Sequence, residues 1–155
     1  MNMRAYTLCC LLSCLAAADT GRRLNYAMTD SNIFTARDAW LSNPTAAEAT
    51  YGHISTWDTS GVTDMSHLFC ASSWSECNSA AASFNEDIGA WDTSGVTKME
   101  KMFGYALAFN RDLGGWAVHS VTDMQYMFRG ASAFNQDIGA WDTSGVTSME
   151  QMFYY

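Results

Sequence analysis

Four tryptophans, Trp57, Trp91, Trp116 and Trp141, each open the same phrase, and that recurrence limits the folds open to this 155-residue chain. The later copies read Trp91-Asp-Thr-Ser-Gly-Val-Thr-Lys-Met-Glu-Lys-Met-Phe103, Trp116-Ala-Val-His-Ser-Val-Thr-Asp-Met-Gln-Tyr-Met-Phe128 and Trp141-Asp-Thr-Ser-Gly-Val-Thr-Ser-Met-Glu-Gln-Met-Phe153, a period of 25 residues. An earlier copy runs from Trp57 to Phe69 and starts 34 residues before Trp91, so the excess falls in residues 70–82, an inserted loop. The second half of the unit recurs as well, as Phe84-Asn85-Glu-Asp87-Ile88, Phe109-Asn110-Arg-Asp112-Leu113 and Phe134-Asn135-Gln-Asp137-Ile138. A fixed period of this length is the mark of a repeat architecture, in which each unit buries its apolar face only against its neighbours.

Two local signals lie inside each unit. In Val-Thr-x-Met-x-x-Met-Phe the apolar residues recur at three and three plus one, which predicts one face of a short helix. Thr97 with Glu100, Thr122 with Gln125 and Thr147 with Glu150 fit the capping box that starts such a helix; Thr63 with Ser66 lacks the long acceptor. Phe-Asn-x-Asp-Ile/Leu-Gly reads as a short extended segment, and Asp-Thr-Ser-Gly as a turn. The third copy has Ala117-Val118-His119-Ser120 there, so its turn is expected to be built differently.

Stacking the copies predicts an α/β solenoid: a parallel ladder of extended segments about 4.8 Å apart, backed by short helices. Its interior columns are Val62/Val96/Val121/Val146, Met65/Met99/Met124/Met149, Phe69/Phe103/Phe128/Phe153, Phe84/Phe109/Phe134 and Ile54/Ile88/Leu113/Ile138. Each buried member contributes roughly 1.5–3 kcal/mol.

The phrase Phe-Asn-x-Asp-Ile-x-x-Trp-Asp-Thr-Ser-x-Val-Thr-x-Met-x-x-Met-Phe-x-x-Ala, across residues 50–155, resembles the BspA-like leucine-rich-repeat surface proteins. That resemblance implies a leucine-rich-repeat-like solenoid, a secreted or surface location, and a role in adhesion or protein binding. It carries over no catalytic residue, because the family motif is structural.

Outside the repeats, residues 1–18, MNMRAYTLCCLLSCLAAA, have the layout of a secretory signal peptide cleaved near Ala18. A lipobox-like reading around Leu11-Leu12-Ser13-Cys14 and a buried amphipathic helix are the alternatives. Residues 19–50 are expected to supply a linker and a helical cap: Ile33, Phe34, Ala36, Trp40 and Leu41 have helical spacing, Asn43-Pro44 ends that helix, and Thr45-Ala-Ala-Glu48 is a second capping box. The repeats occupy 51–155. The chain ends inside the fourth copy, which reads as a fragment, a truncated gene model or a protein that pairs through an apolar edge. Cys9, Cys10 and Cys14 leave with the signal, so Cys70 and Cys77 read as one local disulfide across the inserted loop, with two free thiols as the alternative.

The chemistry is sparse. With 8 Lys and Arg against 16 Asp and Glu, a formal charge of -8, the chain lacks the cationic stripe that tracks phosphates, so no nucleic-acid partner is expected. Asp87, Asp112 and Asp137 stack, as do Asn85, Asn110 and Asn135, which allows either a calcium ladder or, more plainly, side chains that bond adjacent backbone. His53, His67 and His119 share no metal motif, no nucleophile elbow or phosphate loop occurs, and neither a cofactor nor an enzyme is expected. The expected function is therefore an interaction or adhesion module for a protein or matrix ligand. The alternative is a carbohydrate-binding module that stacks sugars on Trp57, Trp91, Trp116 and Trp141.

Overall fold

The computed structural model describes residues 26–155. The expected signal peptide, with its three cysteines, and the first part of the linker lie outside those residues. The described chain begins with strand β1 (Ala27–Thr29), then helices α1 (Ile33–Ser42) and α2 (Pro44–Tyr51), a 3₁₀ turn at Ile54–Thr56 and strand β2 (Asp58–Gly61), which pairs in parallel with β1.

Helix α1 forms because Ile33, Ala36, Arg37 and Trp40 bury one stripe at spacings of three and four. It stops before Pro44, whose ring forces Asn43 into extended backbone (φ -154°, ψ 92°). Asn43 then caps α2: its side chain accepts from the Ala46 amide at 3.1 Å, and Pro44 sits in the first turn, where its missing N–H costs nothing. The Thr45–Glu48 capping box is not used, because Thr45 already lies inside the helix.

Beyond β2 the copies are joined by parallel bridges, Asp64 to Lys98, Lys98 to Asp123 and Asp123 to Ser148. The bonding is periodic. Met65, His67, Phe69 and Ala71 donate their amides to the carbonyls of Lys98, Glu100, Met102 and Gly104, and the same set recurs from the second copy to the third and from the third to the fourth. The predicted short helices are absent: among the described residues α-helix is confined to 33–51. The reason is local. His67, Lys101, Tyr126 and Gln151, one per copy, adopt left-handed backbone with φ of 63°, 55°, 57° and 50°, which no helix tolerates. Alternate amides then leave the copy for its neighbour, and the amides between them make three-residue turn bonds, Leu68 to Met65 and Cys70 to His67, repeated at Met102 to Met99 and Gly104 to Lys101. The apolar spacing that suggests a helix is equally satisfied by this turn-and-ladder path.

The threonines that suggest capping boxes serve the ladder instead. The Thr97 hydroxyl donates to the Thr63 carbonyl, Thr122 to Thr97 and Thr147 to Thr122. In the extended segment the inter-copy bonds run through side chains: Asn85 accepts from the Asn110 amide and Asn110 from the Asn135 amide, both at 2.9 Å. The third copy makes the same backbone turn as the others, Val121 amide to Val118 carbonyl at 3.0 Å, against the expectation of a different one. Only its side-chain bonds differ, Ser120 reaching the Ser94 carbonyl.

The interior is a run of flat rings. Phe69 with Phe84, Phe103 with Phe109 and Phe128 with Phe134 pair at 3.9, 4.1 and 4.0 Å within copies, and Phe69, Phe103 and Phe128 follow one another at 5.8 and 5.4 Å between copies. Val62, Met65, Ile88, Val96, Met99, Leu113, Val121 and Met124 are fully enclosed, and Leu68, Met102, Met127 and Met152 form a further interior column that the predicted set omits. Phe134, Ile138 and Val146 are half-buried. Two predicted core residues are not core: Met149 is 42% and Phe153 58% exposed, because no further copy lies over the fourth in the described residues.

Candidate functional site

The tryptophan column is structural. Trp57, Trp91 and Trp116 are each 3% exposed and Trp141 9%. Each indole N–H is satisfied by backbone: Trp57 donates to Gly52 (3.2 Å), Trp91 to Ile54 (2.9 Å), Trp116 to Ile88 (3.2 Å) and Trp141 to Leu113 (2.9 Å). From the second copy onward the donor reaches back to the preceding copy, so these rings offer no face for a sugar to stack on.

The acidic columns are turn caps. Asp87, Asp112 and Asp137 accept from the amides of Gly89, Gly114 and Gly139 at 3.0, 2.8 and 2.8 Å. Asp58, Asp92 and Asp142 accept likewise from Ser60, Ser94 and Ser144, and these serine hydroxyls and amides hold the three carboxyls below their usual range. Among the described residues no group of three His, Cys, Asp or Glu side chains converges on a point where a metal ion could sit. The three histidines remain apart: His53 bonds Ser55, His119 lies in a turn, and His67 lines a cleft.

Cys70 and Cys77 form a disulfide that closes the inserted loop. The Asn78 amide donates to the Cys70 carbonyl (2.9 Å) and the Asn78 side chain to Asp38 on α1 (2.8 Å), so the loop is pinned at its base. Its tip presents Trp74, which stands edge-on to Tyr105 at 6.2 Å. Between them and Leu107 runs a cleft of about 360 Å³, completed by Ala71, Ser72, Ser73 and Ala82.

A ribbon of rings and cations continues from that cleft along the outside of the copies. The Lys101 ammonium lies 5.0 Å from the Trp74 ring and 5.4 Å from the Tyr126 ring, and the Arg129 guanidinium 6.0, 5.4 and 5.1 Å from Tyr105, Tyr126 and Tyr154. Such contacts fix a cation over a ring face. Lys101 is also paired with Glu100. A second cleft, about 480 Å³, lies near the helical end, lined by Asp30, Phe34, Asp64, Ser66, His67 and Glu76. There burial, then Lys101, lowers the His67 pKa against the pull of Glu100, Glu76 and Asp64.

The 25-residue period marks neither this ribbon nor the residues that join the helical end to the first copy. Trp74 carries a signal in retrospect: of the six tryptophans, only it and Trp40 fall outside the repeat register, and Trp40 is buried in α1. Arg37 carries none. It is 4% exposed, pairs with Asp38, and donates to the carbonyls of Leu68 and His67.

No helix among the described residues is long and apolar enough to cross a membrane. No curated protein and no solved structure matches the chain. A family model described as Mycoplasma protein of unknown function, DUF285, matches residues 41–155, from the end of α1 through every copy.

Proposed function

This chain belongs to the DUF285 family, and on that premise we propose that it is a secreted or cell-surface interaction module, a binding protein rather than an enzyme, that takes a protein or matrix partner on the outer face of its repeats. A BspA-like kinship and a leucine-rich-repeat-like solenoid are part of the same proposal, supported by the repeated phrase and by the copy-to-copy bonding.

One observation carries it. The apolar positions shared by the copies point inward, whereas the positions that differ between copies line up outside. Asp64/Lys98/Asp123/Ser148, Ser66/Glu100/Gln125/Glu150 and His67/Lys101/Tyr126/Gln151 form three adjacent columns, and none of these side chains is buried. A fixed frame that varies only what it displays is the arrangement of a binding surface.

The test is binding of the full chain to immobilised matrix proteins and to intact cells, beside a variant with Lys98, Lys101 and Tyr126 all replaced by Ser. Saturable binding that the triple variant loses, at unchanged melting temperature, is the expected result. Absence of binding by the native chain, or equal binding by both, refutes it.

A further inference from the structure

The cleft beside the disulfide-closed loop presents exposed aromatic surface on a preorganised frame. Trp74 is 37% exposed although it is the kind of side chain a fold normally hides. It is held there by covalent and polar restraints: the Cys70–Cys77 bridge, the Cys77 amide on the Trp74 carbonyl (3.0 Å), and the Ser72 hydroxyl against the Trp74 amide (3.3 Å) and the Cys77 sulfur (3.2 Å). A partner that docks there has little loop entropy to freeze, which is the condition for a strong anchor.

Arg129 supplies the charge. Residues 26–155 contain five Lys and Arg in an acidic chain. Arg37 pairs with Asp38, Lys98 with Asp64 and Lys101 with Glu100. Arg111 donates to the Asn85 carbonyl. Arg129 is held by rings alone, and its buried Nε has no hydrogen-bond partner among the described residues. A guanidinium fixed by ring faces, with no carboxylate paired to it among the described residues, is preset to accept one. Tyr105 touches both Trp74 and the guanidinium, so the cleft and the cation stand one ring apart.

We propose that this cleft and Arg129 together form the docking groove for an acidic segment of a protein partner, with an apolar side chain of the segment entering beside Trp74 and Leu107 and a neighbouring Asp or Glu seated on Arg129. The proposal rests on the interaction-module function above and specifies where on the face the partner binds and its chemistry. Trp, Tyr and Arg are the residues that dominate binding energy in protein interfaces. A peptide suits the cleft because Trp74, Leu107, Ala71 and Ala82 give an apolar side chain a wall, while Ser72, Ser73 and Tyr105 beside them can meet peptide backbone.

The test pans a displayed library of random short linear peptides against the full oxidised chain. Synthetic copies of the enriched peptides are then titrated against native, Trp74→Ala, Arg129→Gln and Arg129→Lys chains. Enriched peptides are expected to place Asp or Glu beside an apolar residue. Both Trp74→Ala and Arg129→Gln should weaken them about tenfold or more, while Arg129→Lys recovers part of the loss and Trp74→Ala leaves the melting temperature unchanged. Enrichment of peptides without acidic residues, or affinities unmoved by both substitutions, overturns the groove and leaves the module function standing. Binding of acidic oligosaccharides, but of no peptide, that the same substitutions abolish overturns the peptide partner. A chain that binds neither peptides, matrix proteins nor cells removes the module function as well.

Discussion

The carboxylate of Asp30 receives the Thr63 amide at 2.8 Å and the Thr63 hydroxyl at 2.7 Å, the same two donors that Thr97 gives to the Thr63 carbonyl at 2.8 and 3.1 Å. Asp30 thus occupies, for the first copy, the place that a threonine carbonyl occupies for each later one. It also takes the Asp64 amide at 3.1 Å. A side chain carries out the closure that backbone performs elsewhere, and the first row of donors is not left unpaired.

Replacing Asp30 with Ala should therefore cost about 1–2 kcal/mol, the range of a lost side-chain cap. Burial pushes the Asp30 pKa up, but the bonds from the Thr63 hydroxyl and amide and the Asp64 amide outweigh it and hold the carboxyl below its ordinary value. A depressed carboxyl adds stability that is complete above its unfolded pKa, about 4, and is lost as pH falls through the lower folded value. The melting-temperature gap between native and Asp30→Ala chains should be full at neutral pH and close below about pH 4. A gap that widens on acidification contradicts this.

Arg37→Met keeps the aliphatic stem and removes the donors to the Leu68 and His67 carbonyls. The expected loss is about 2–3 kcal/mol, seen in urea unfolding, with amide exchange quickening first in α1. Unchanged exchange in α1 would show that the helix is held by its apolar stripe alone.

Trp116→Phe leaves the Ile88 carbonyl without its indole donor in a buried setting. The carbonyl keeps the Trp91 amide at 3.1 Å, so the lost indole bond should cost about 0.5–1.5 kcal/mol, before any loss of ring volume. Chemical denaturation measures it, and a loss below about half a kcal/mol would show that the Trp91 amide alone satisfies the carbonyl.

Gly89 approaches the next copy so closely that a Cβ there would stand 2.8 Å from the Asp112 carbonyl oxygen, whereas a Cβ on Gly115 meets nothing within 4 Å. Gly89→Ala should destabilise by about 1–3 kcal/mol, since backbone must move. Gly115→Ala should be neutral or stabilise by up to about 1 kcal/mol by restricting the unfolded chain. Equal effects at the two positions would show that the copies are not in tight register at Gly89.

The interior was legible in the sequence because its columns depend only on period: Val62, Met65 and Phe69 recur in step with their counterparts whatever the backbone between them does. The path was not legible. Spacings of three and four describe a helix and a turned ladder equally, and what separates them is the left-handed backbone at His67, Lys101, Tyr126 and Gln151, positions filled by residues with no turn signature. Asp30 and Arg37 escaped because each acts once, at the boundary, where there is nothing to be periodic with. Trp74 and Arg129 escaped for the complementary reason: Trp74 lies in the inserted loop that the other copies lack, the Arg129 position holds Cys70, Gly104 and Tyr154 in the other copies, and only the fold unites the two.

Because the backbone ladder and the indole bond are made by the same atoms at each junction between copies, with Trp116 treating Ile88 as Trp141 treats Leu113, the frame of the array is indifferent to which copy meets which. Excision of residues 91–115, one period, would bring Trp116 onto Ile54 in place of Trp91 and rejoin like to like. A stack built this way tolerates the loss or gain of a whole period, so its length and its fold are separable.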